Sequence, residues 1–292
     1  MKPAPFDYHR PASLPEVFDL LDRYGEDGRI LAGGQSLVPA LNMRLATPRA
    51  VIDINRVPGL DAIRLAPEGL VIGALVRHEV AETSPLVREH APLVAAALPH
   101  VGHGAIRTRG TIGGSLALAD PAAELPACMV ALDAVIRAAR RGGRREIPAA
   151  QFFRGVYTTA LAAGEVVTEV VLPPRGPGWR SAFDELARRQ GDFALAGLAA
   201  TARVDGAVRD LRLVFFGVGP APVRARRAEA ALLGGRAAGA ALAADDALAA
   251  AARALDDDLD PPGDVHASAA VRRQLARVLL GRVARRLLDT PP

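Results

Sequence analysis

The sequence predicts an α+β protein built in two parts. Three observations carry this. Short β-type runs closed by hairpin turns alternate with helical stretches through the first part. The cluster PPRGPGW at 173–179 is the densest Pro/Gly punctuation in the chain and marks a boundary. Beyond it, three strand-like runs give way to an Ala-, Leu- and Arg-rich helical tail.

Taken in order, SLPEVFDLLDRYG opens with Ser13 and places Glu16 three residues on, a capping box, with Gly25 at the far end as a C-terminal cap. Leu14, Val17, Leu20, Leu21 and Tyr24 form its apolar stripe. RILAGG reads as a buried strand, PALNMRLA as a helix and AVIDI as another strand. The run AIRLAPEGLVIGALV turns at Pro67-Glu68-Gly69, and VIRAARRGGRREIP turns at Gly142-Gly143, so both read as hairpins. Residues 79–100 look helical, and GEVVTEVVLP adds a strand. In the second part SAFDELARRQ, ALAGLAATARV and AVRDLRLVFFGVG read as strands, the last two joined at Asp205-Gly206. A final amphipathic helix follows DPPGDV.

Half of the 292 residues are hydrophobic and 23% are charged, enough for a sizeable core. The net charge of +4 is dispersed, with no block of five like charges, and aromatics are only 4%. That argues against a nucleic-acid surface, which needs clustered charge and stacking rings. Lys2 is the only lysine, which removes a phosphate-loop lysine and an internal Schiff base. Cys128 is the only cysteine, so the chain holds no internal disulfide, iron–sulfur cluster or thiolate zinc site; in LPACMVAL it reads as a core residue. No signal-type segment opens the chain and no apolar run approaches 18 residues, so a cytoplasmic protein without a membrane span is expected.

Two loops carry the chemistry. AGGQSL contributes Ala32, Gly33, Gly34, Gln35, Ser36 and Leu37; TIGGSLALADPAAELPA contributes Thr111, Gly113, Gly114 and Ser115. Glycine lets a backbone approach a ligand closely, so that successive N–H groups converge on an anion while hydroxyls donate further bonds. Two such loops can bracket a diphosphate without a lysine. Neither is a standard phosphate-binding signature, and a single loop of this kind is as readily a plain tight turn. Asp120 before Pro121 is either a helix cap or a ligand contact. Glu124 either accepts from sugar-type hydroxyls or serves the helix dipole. The histidines are scattered. His100 and His103 stand three apart with no carboxylate beside them in sequence and read as structural, and no histidine lies beside either loop. Arg107 and Arg109 flank the second loop.

AGGQSL, TIGGSLALADPAAELPA and RRQGDFALAG together resemble the FAD-binding medium subunits of the molybdenum hydroxylases, the carbon monoxide dehydrogenase and xanthine dehydrogenase type. The resemblance runs over essentially the whole chain. It implies an FAD-binding domain of the vanillyl-alcohol-oxidase (PCMH) type at 1–175, with subdomains at about 1–57 and 58–175. At 180–292 it implies a C-terminal domain with a three-stranded antiparallel sheet and a helical bundle. It puts the diphosphate cradle on 32–37 and on Thr111, Gly113, Gly114 and Ser115, and an acidic contact on Glu124 with Asp120 nearby. It places Val101, Asp192 and Phe193 near the flavin ring. Position 118 is Leu where many relatives have His, and Asp184, Glu185 and Phe193 also depart from some relatives.

The resemblance further implies non-covalent FAD and an intermediate electron carrier. Electrons would enter from an iron–sulfur small subunit and leave to NAD, a quinone or oxygen. A large subunit would hold the molybdenum cofactor, in a dimer of heterotrimers. A self-contained flavin reductase or oxidase, and a nucleotide-binding scaffold without redox function, are the competing readings.

Overall fold

The computed structural model describes residues 2–205, 207–234 and 245–289. Three sheets organise it. The first is parallel, with Ala50–Asp53 central between Asp7–His9 and Gly28–Leu31. The helix Leu14–Tyr24 packs on it through Val17, which is fully buried. That helix starts at the predicted capping box: the Ser13 hydroxyl accepts from the Glu16 amide, and Glu16 Oε2 accepts from the Ala12 amide.

The second sheet is antiparallel, in the order Ile63–Ala66, Gly69–Gly73, Val166–Leu172, Val135–Arg140, Gly143–Pro148. Both predicted hairpins are present in it. The stretch read as one helix at 79–100 is instead three helices, His78–Thr83, Pro85–His90 and Pro92–Ala97, followed by a 3₁₀ turn at Leu98–His100. Proline explains the breaks. Pro85, Pro92 and Pro99 each sit in the first turn of a new segment, where a missing N–H costs nothing, and each ends the segment before it. The helix after the first glycine loop is also short, Leu37–Asn42, and the chain turns away through Arg44 at φ +57°.

The third sheet holds Trp179–Ala187, Ala194–Asp205 and Ala207–Phe216, antiparallel, with the two-residue strand Val223–Arg224 along one edge. The turn residue Gly206 lies outside the described residues. Both faces of this sheet are buried, and side-chain alternation divides them. Leu198, Ala200, Ala202, Leu211, Leu213 and Phe215 face the helices Arg226–Gly234, Asp245–Asp258 and Ala269–Asp289. Ala199, Val214 and Phe216 join the core of the first part.

The helix Glu124–Ala131 is the hinge of this packing. All eight of its residues are buried, and it contacts both Ala194–Asp205 and Ala207–Phe216. Its Ala131 carbonyl accepts from the Thr201 hydroxyl at 3.1 Å, and the Pro121 carbonyl just upstream accepts from the Gly217 amide at 2.8 Å. Cys128 lies within this helix, fully buried, and burial pushes its thiol well up, as suits a core residue. At about 1.5–3 kcal/mol for each large apolar side chain buried, the shared core ties the third sheet firmly to the first part.

Candidate functional site

The parallel sheet ends in the first glycine loop; the second loop crosses beside it. They touch. A Cβ added to Gly33 would lie 2.3 Å from the Arg109 carbonyl oxygen and 2.9 Å from Gly110 Cα, so only glycine permits this approach. A cavity of about 650 Å³ opens between the loops, within the range of small-molecule sites. Ala32, Gly33, Gly34, Gln35, Ser36, Leu37, Thr111, Gly113, Gly114 and Ser115 line it, joined by Val101, Asp120, Glu124, Asp192 and Phe193. Every site residue predicted from sequence therefore faces one space.

The hydrogen bonds of the two loops differ. None of the five amides from Gly33 to Leu37 has an acceptor among the described residues. In the second loop the expected free amides are already taken. Ile112 N–H donates to Val76, Gly113 N–H to Ala74, Gly114 N–H to the Thr111 hydroxyl and Ser115 N–H to the Thr111 carbonyl. Thr111 is the N-cap of the helix Ile112–Leu118, and it satisfies amides that the sequence reading assigned to an anion. The second loop thus contributes bare glycine surface and hydroxyls, and the first contributes amides.

Two carboxylates, Asp120 and Glu124, also line the cavity. Glu124 opens the helix Glu124–Ala131 and is 9% exposed; burial pushes its carboxyl up to about 8, and the neighbouring Glu185 and Asp120 add to this. Asp120 does not cap that helix, whose cap position is Ala123. Its Oδ1 instead accepts from the Ala122 amide at 2.9 Å in a local turn, and Oδ2 accepts from the Tyr157 hydroxyl at 3.3 Å.

His100, read from sequence as lacking a carboxylate, has one: its Nδ1 lies 3.5 Å from Glu185 Oε1 on the strand Trp179–Ala187, and that pairing raises its pKa. The partner comes from the other part of the chain, where spacing gives no signal. His103 packs against Gly191, whose φ of +77° carries the chain into Asp192 and Phe193. Phe193 is 69% exposed at the cavity mouth.

The expectation that no histidine lies beside either loop is also overturned. His78 is 4% exposed, lines the cavity and packs against Gly110. Burial lowers its pKa to about 4, so it is neutral at physiological pH. Arg29 and Tyr157 also line the cavity and were not singled out from sequence. Among the described residues no group of three or more His, Cys, Asp or Glu is arranged to hold a metal ion, and no helix is long and apolar enough to cross a membrane.

Five amides without an acceptor among the described residues, a glycine surface that admits close approach, and a cavity of about 650 Å³ lined also by two carboxylates fit a dinucleotide with a diphosphate bridge. Residues 4–175 match the family described as the FAD binding domain in molybdopterin dehydrogenase, and residues 181–287 match the CO dehydrogenase flavoprotein C-terminal domain. These define an FAD-binding oxidoreductase subunit. The chain belongs to the FAD-binding medium subunits of the molybdenum hydroxylases.

It is 40% identical to the 6-hydroxypseudooxynicotine dehydrogenase complex subunit alpha of Paenarthrobacter nicotinovorans, over 99% of this chain and 96% of that one. Among solved structures it is similar to carbon monoxide dehydrogenase from Hydrogenophaga pseudoflava lacking the Mo-pyranopterin moiety of its cofactor (36% identity, TM-score 0.93, 99% of each chain). It is also similar to quinoline 2-oxidoreductase from Pseudomonas putida 86 (37% identity, TM-score 0.90, 99% of each chain).

Proposed function

We propose that the chain is an intermediate electron carrier. It accepts electrons from an iron–sulfur subunit and delivers them to an external acceptor such as NAD, a quinone or oxygen, while a large subunit holds the molybdenum cofactor and the substrate. The assembly is a dimer of heterotrimers in the cytoplasm. Residues 1–175 form the FAD-binding domain, in subdomains of about 1–57 and 58–175, and 180–292 the domain that closes over it. The observation that carries the reading is the row of amides from Gly33 to Leu37, which have no acceptor among the described residues, in a loop that lines one cavity together with the second.

FAD, when bound, supplies the redox chemistry, and the chain binds, orients and shields it. Gly33 to Leu37 would hold its diphosphate through their amides and the Ser36 hydroxyl. Thr111, Gly113, Gly114 and Ser115 close the opposite side. Glu124, whose carboxyl burial pushes up to about 8, would meet the polar chain of the cofactor, with Asp120 lining the same cavity. Val101, Asp192 and Phe193, which line the same cavity, would flank the cofactor's ring system. Lone cysteine Cys128 sits in the core, so the clusters must come from a partner.

The test is purification with the two neighbouring subunits. The isolated chain is expected to release one FAD on denaturation, and reduced iron–sulfur subunit is expected to bleach its absorbance near the flavin band. A chain without flavin after reconstitution, or a flavin that reduced partner leaves untouched, sinks the reading.

A further inference from the structure

Beside the two loops runs a hydrogen-bond chain whose side chains, Tyr8, Asp53, Asn55 and Arg77, are not among those lining the cavity. Tyr8 O–H donates to Asp53 Oδ2 at 2.5 Å. Asp53 Oδ1 accepts from the backbone amide and the Nδ2 of Asn55, at 2.9 and 2.6 Å. Asn55 Nδ2 also donates to the Ala32 carbonyl at 2.8 Å, and its Oδ1 accepts from Arg77 Nη2 at 2.5 Å. Arg77 Nη1 donates in turn to the Arg109 carbonyl. One amide and one guanidinium therefore tie together the residues that precede the two glycine loops, across the place where Gly33 touches Arg109.

From this geometry we infer that Asn55 and Arg77 are positioning residues, which fix the peptide plane at the entrance of the first loop and the gap between the loops. Peptide planarity gives the reason. In a trans peptide the N–H points opposite to the C=O of the same plane, so holding the Ala32 carbonyl on Asn55 turns the Gly33 amide away from Asn55 and leaves it open. Asn55 is itself oriented. Its oxygen is committed to Arg77, so its nitrogen faces Ala32. Arg77 is suited to the task because a planar fork reaches Asn55 and Arg109 at once, whereas lysine offers a single point charge. Preorganised donors spare the ligand the cost of ordering the loop.

This rests on the reading that the cavity holds FAD, and the experiment separates the two. FAD affinity of the full chain is measured by flavin fluorescence, the ³¹P resonances of bound FAD at saturation, and the melting temperature of the FAD-free protein, for wild type, Asn55→Ala and Arg77→Lys. Both variants are expected to weaken FAD by about tenfold to a hundredfold, the loss of a well-aligned bond to a charged group. Both should shift the diphosphate ³¹P resonances and leave the FAD-free melting temperature within a few degrees of wild type. Arg77→Lys keeps the charge, so wild-type affinity in that variant overturns the positioning role. Unchanged ³¹P resonances, or an affinity loss that only follows a fall in melting temperature, overturn it too. If Asn55→Ala does not fold, Arg77→Lys decides by the same readings. A wild-type chain that takes up no FAD defeats the underlying reading instead.

Discussion

Two glycine pairs, Gly33-Gly34 and Gly113-Gly114, share a composition and part company in their hydrogen bonds. The first follows a strand and precedes a six-residue helix, Leu37–Asn42, that borrows no side-chain cap from Ser36. Its amides stay open. The second begins a helix capped by Thr111, and its amides are spent on Ala74, Val76 and Thr111. What differs is the partner within reach: Thr111 lies in an extended conformation at φ −124°, aimed at its own helix, whereas Ser36 is already in the helical region at φ −108°. A glycine pair near a hydroxyl therefore has two different outcomes, a row of amides without acceptors among the described residues in one setting and a capped, close-packed wall in the other.

The contact between the loops is the point at which this arrangement breaks most easily. Alanine at Gly33 puts a methyl group 2.3 Å from a backbone oxygen, and a backbone neighbour cannot rotate aside. Gly33→Ala is expected to force the loops apart and weaken FAD about a hundredfold, at the upper end of what overpacking costs. Gly104→Ala is the control: its added methyl meets nothing within 4 Å. Equal affinity in the two variants, measured by fluorescence titration, would show that the loops do not act together.

The next largest effect belongs to Glu124. Its folded carboxyl titrates at about 8 and an ordinary one at 4.5, so the folded state binds the proton more tightly. Between those values unfolding releases a proton. The stabilising contribution is therefore complete below about pH 4.5 and is lost as the pH rises through 8, with a slope of about 1.4 kcal/mol per pH unit. Glu124→Gln keeps the shape and cannot ionise. Urea unfolding of the FAD-free protein from pH 5 to 8 is expected to show the wild type losing stability relative to this variant. Parallel curves would place the Glu124 carboxylate in contact with water. His78 acts at the other limb: lowered to about 4, it costs stability as the pH falls from 6.5 towards 4.

What could be read in the sequence follows from how local its cause is. The capping box at Ser13 and Glu16, the hairpin at Pro67-Glu68 and the glycine pairs each depend on a few adjacent residues, and each can be found by eye. The split of 79–100 into three helices was also legible, because Pro85, Pro92 and Pro99 punctuate it; the apolar content of the stretch masked them. Asp120 was legible as a turn-former, but its turn ends before the helix begins. Asn55, Arg77, His78 and the pairing of His100 with Glu185 were not legible. Each acts on a residue brought near only by the fold, and an asparagine after a strand looks the same whether or not an arginine holds its oxygen. Arg29 lines the cavity from the strand Gly28–Leu31, where nothing in its neighbours distinguishes it from a solvated arginine.

The smallest effects test the comparison of the loops most directly, because the two hydroxyls stand two residues from their glycine pairs, Ser36 after and Thr111 before, and are put to different use. Thr111→Ala removes the acceptor for the Gly114 amide, 3.1 Å away and nearly buried with it. A lost N-cap costs about 1 kcal/mol, which lowers the melting temperature of a chain of this size by about 2–4 °C. The drop should appear in the FAD-free protein, since the bond is internal. Ser36→Ala should do the reverse. The Ser36 hydroxyl caps nothing, so the FAD-free melting temperature should stay where it is. The cost should appear only on titration with FAD, as a weakening of about three- to tenfold for one lost hydrogen bond. If Ser36→Ala destabilises the FAD-free protein as much as Thr111→Ala does, the first hydroxyl is also a structural cap. The open row of amides beside it would then be more ordered by the chain itself, and less in need of a ligand, than its hydrogen bonds indicate.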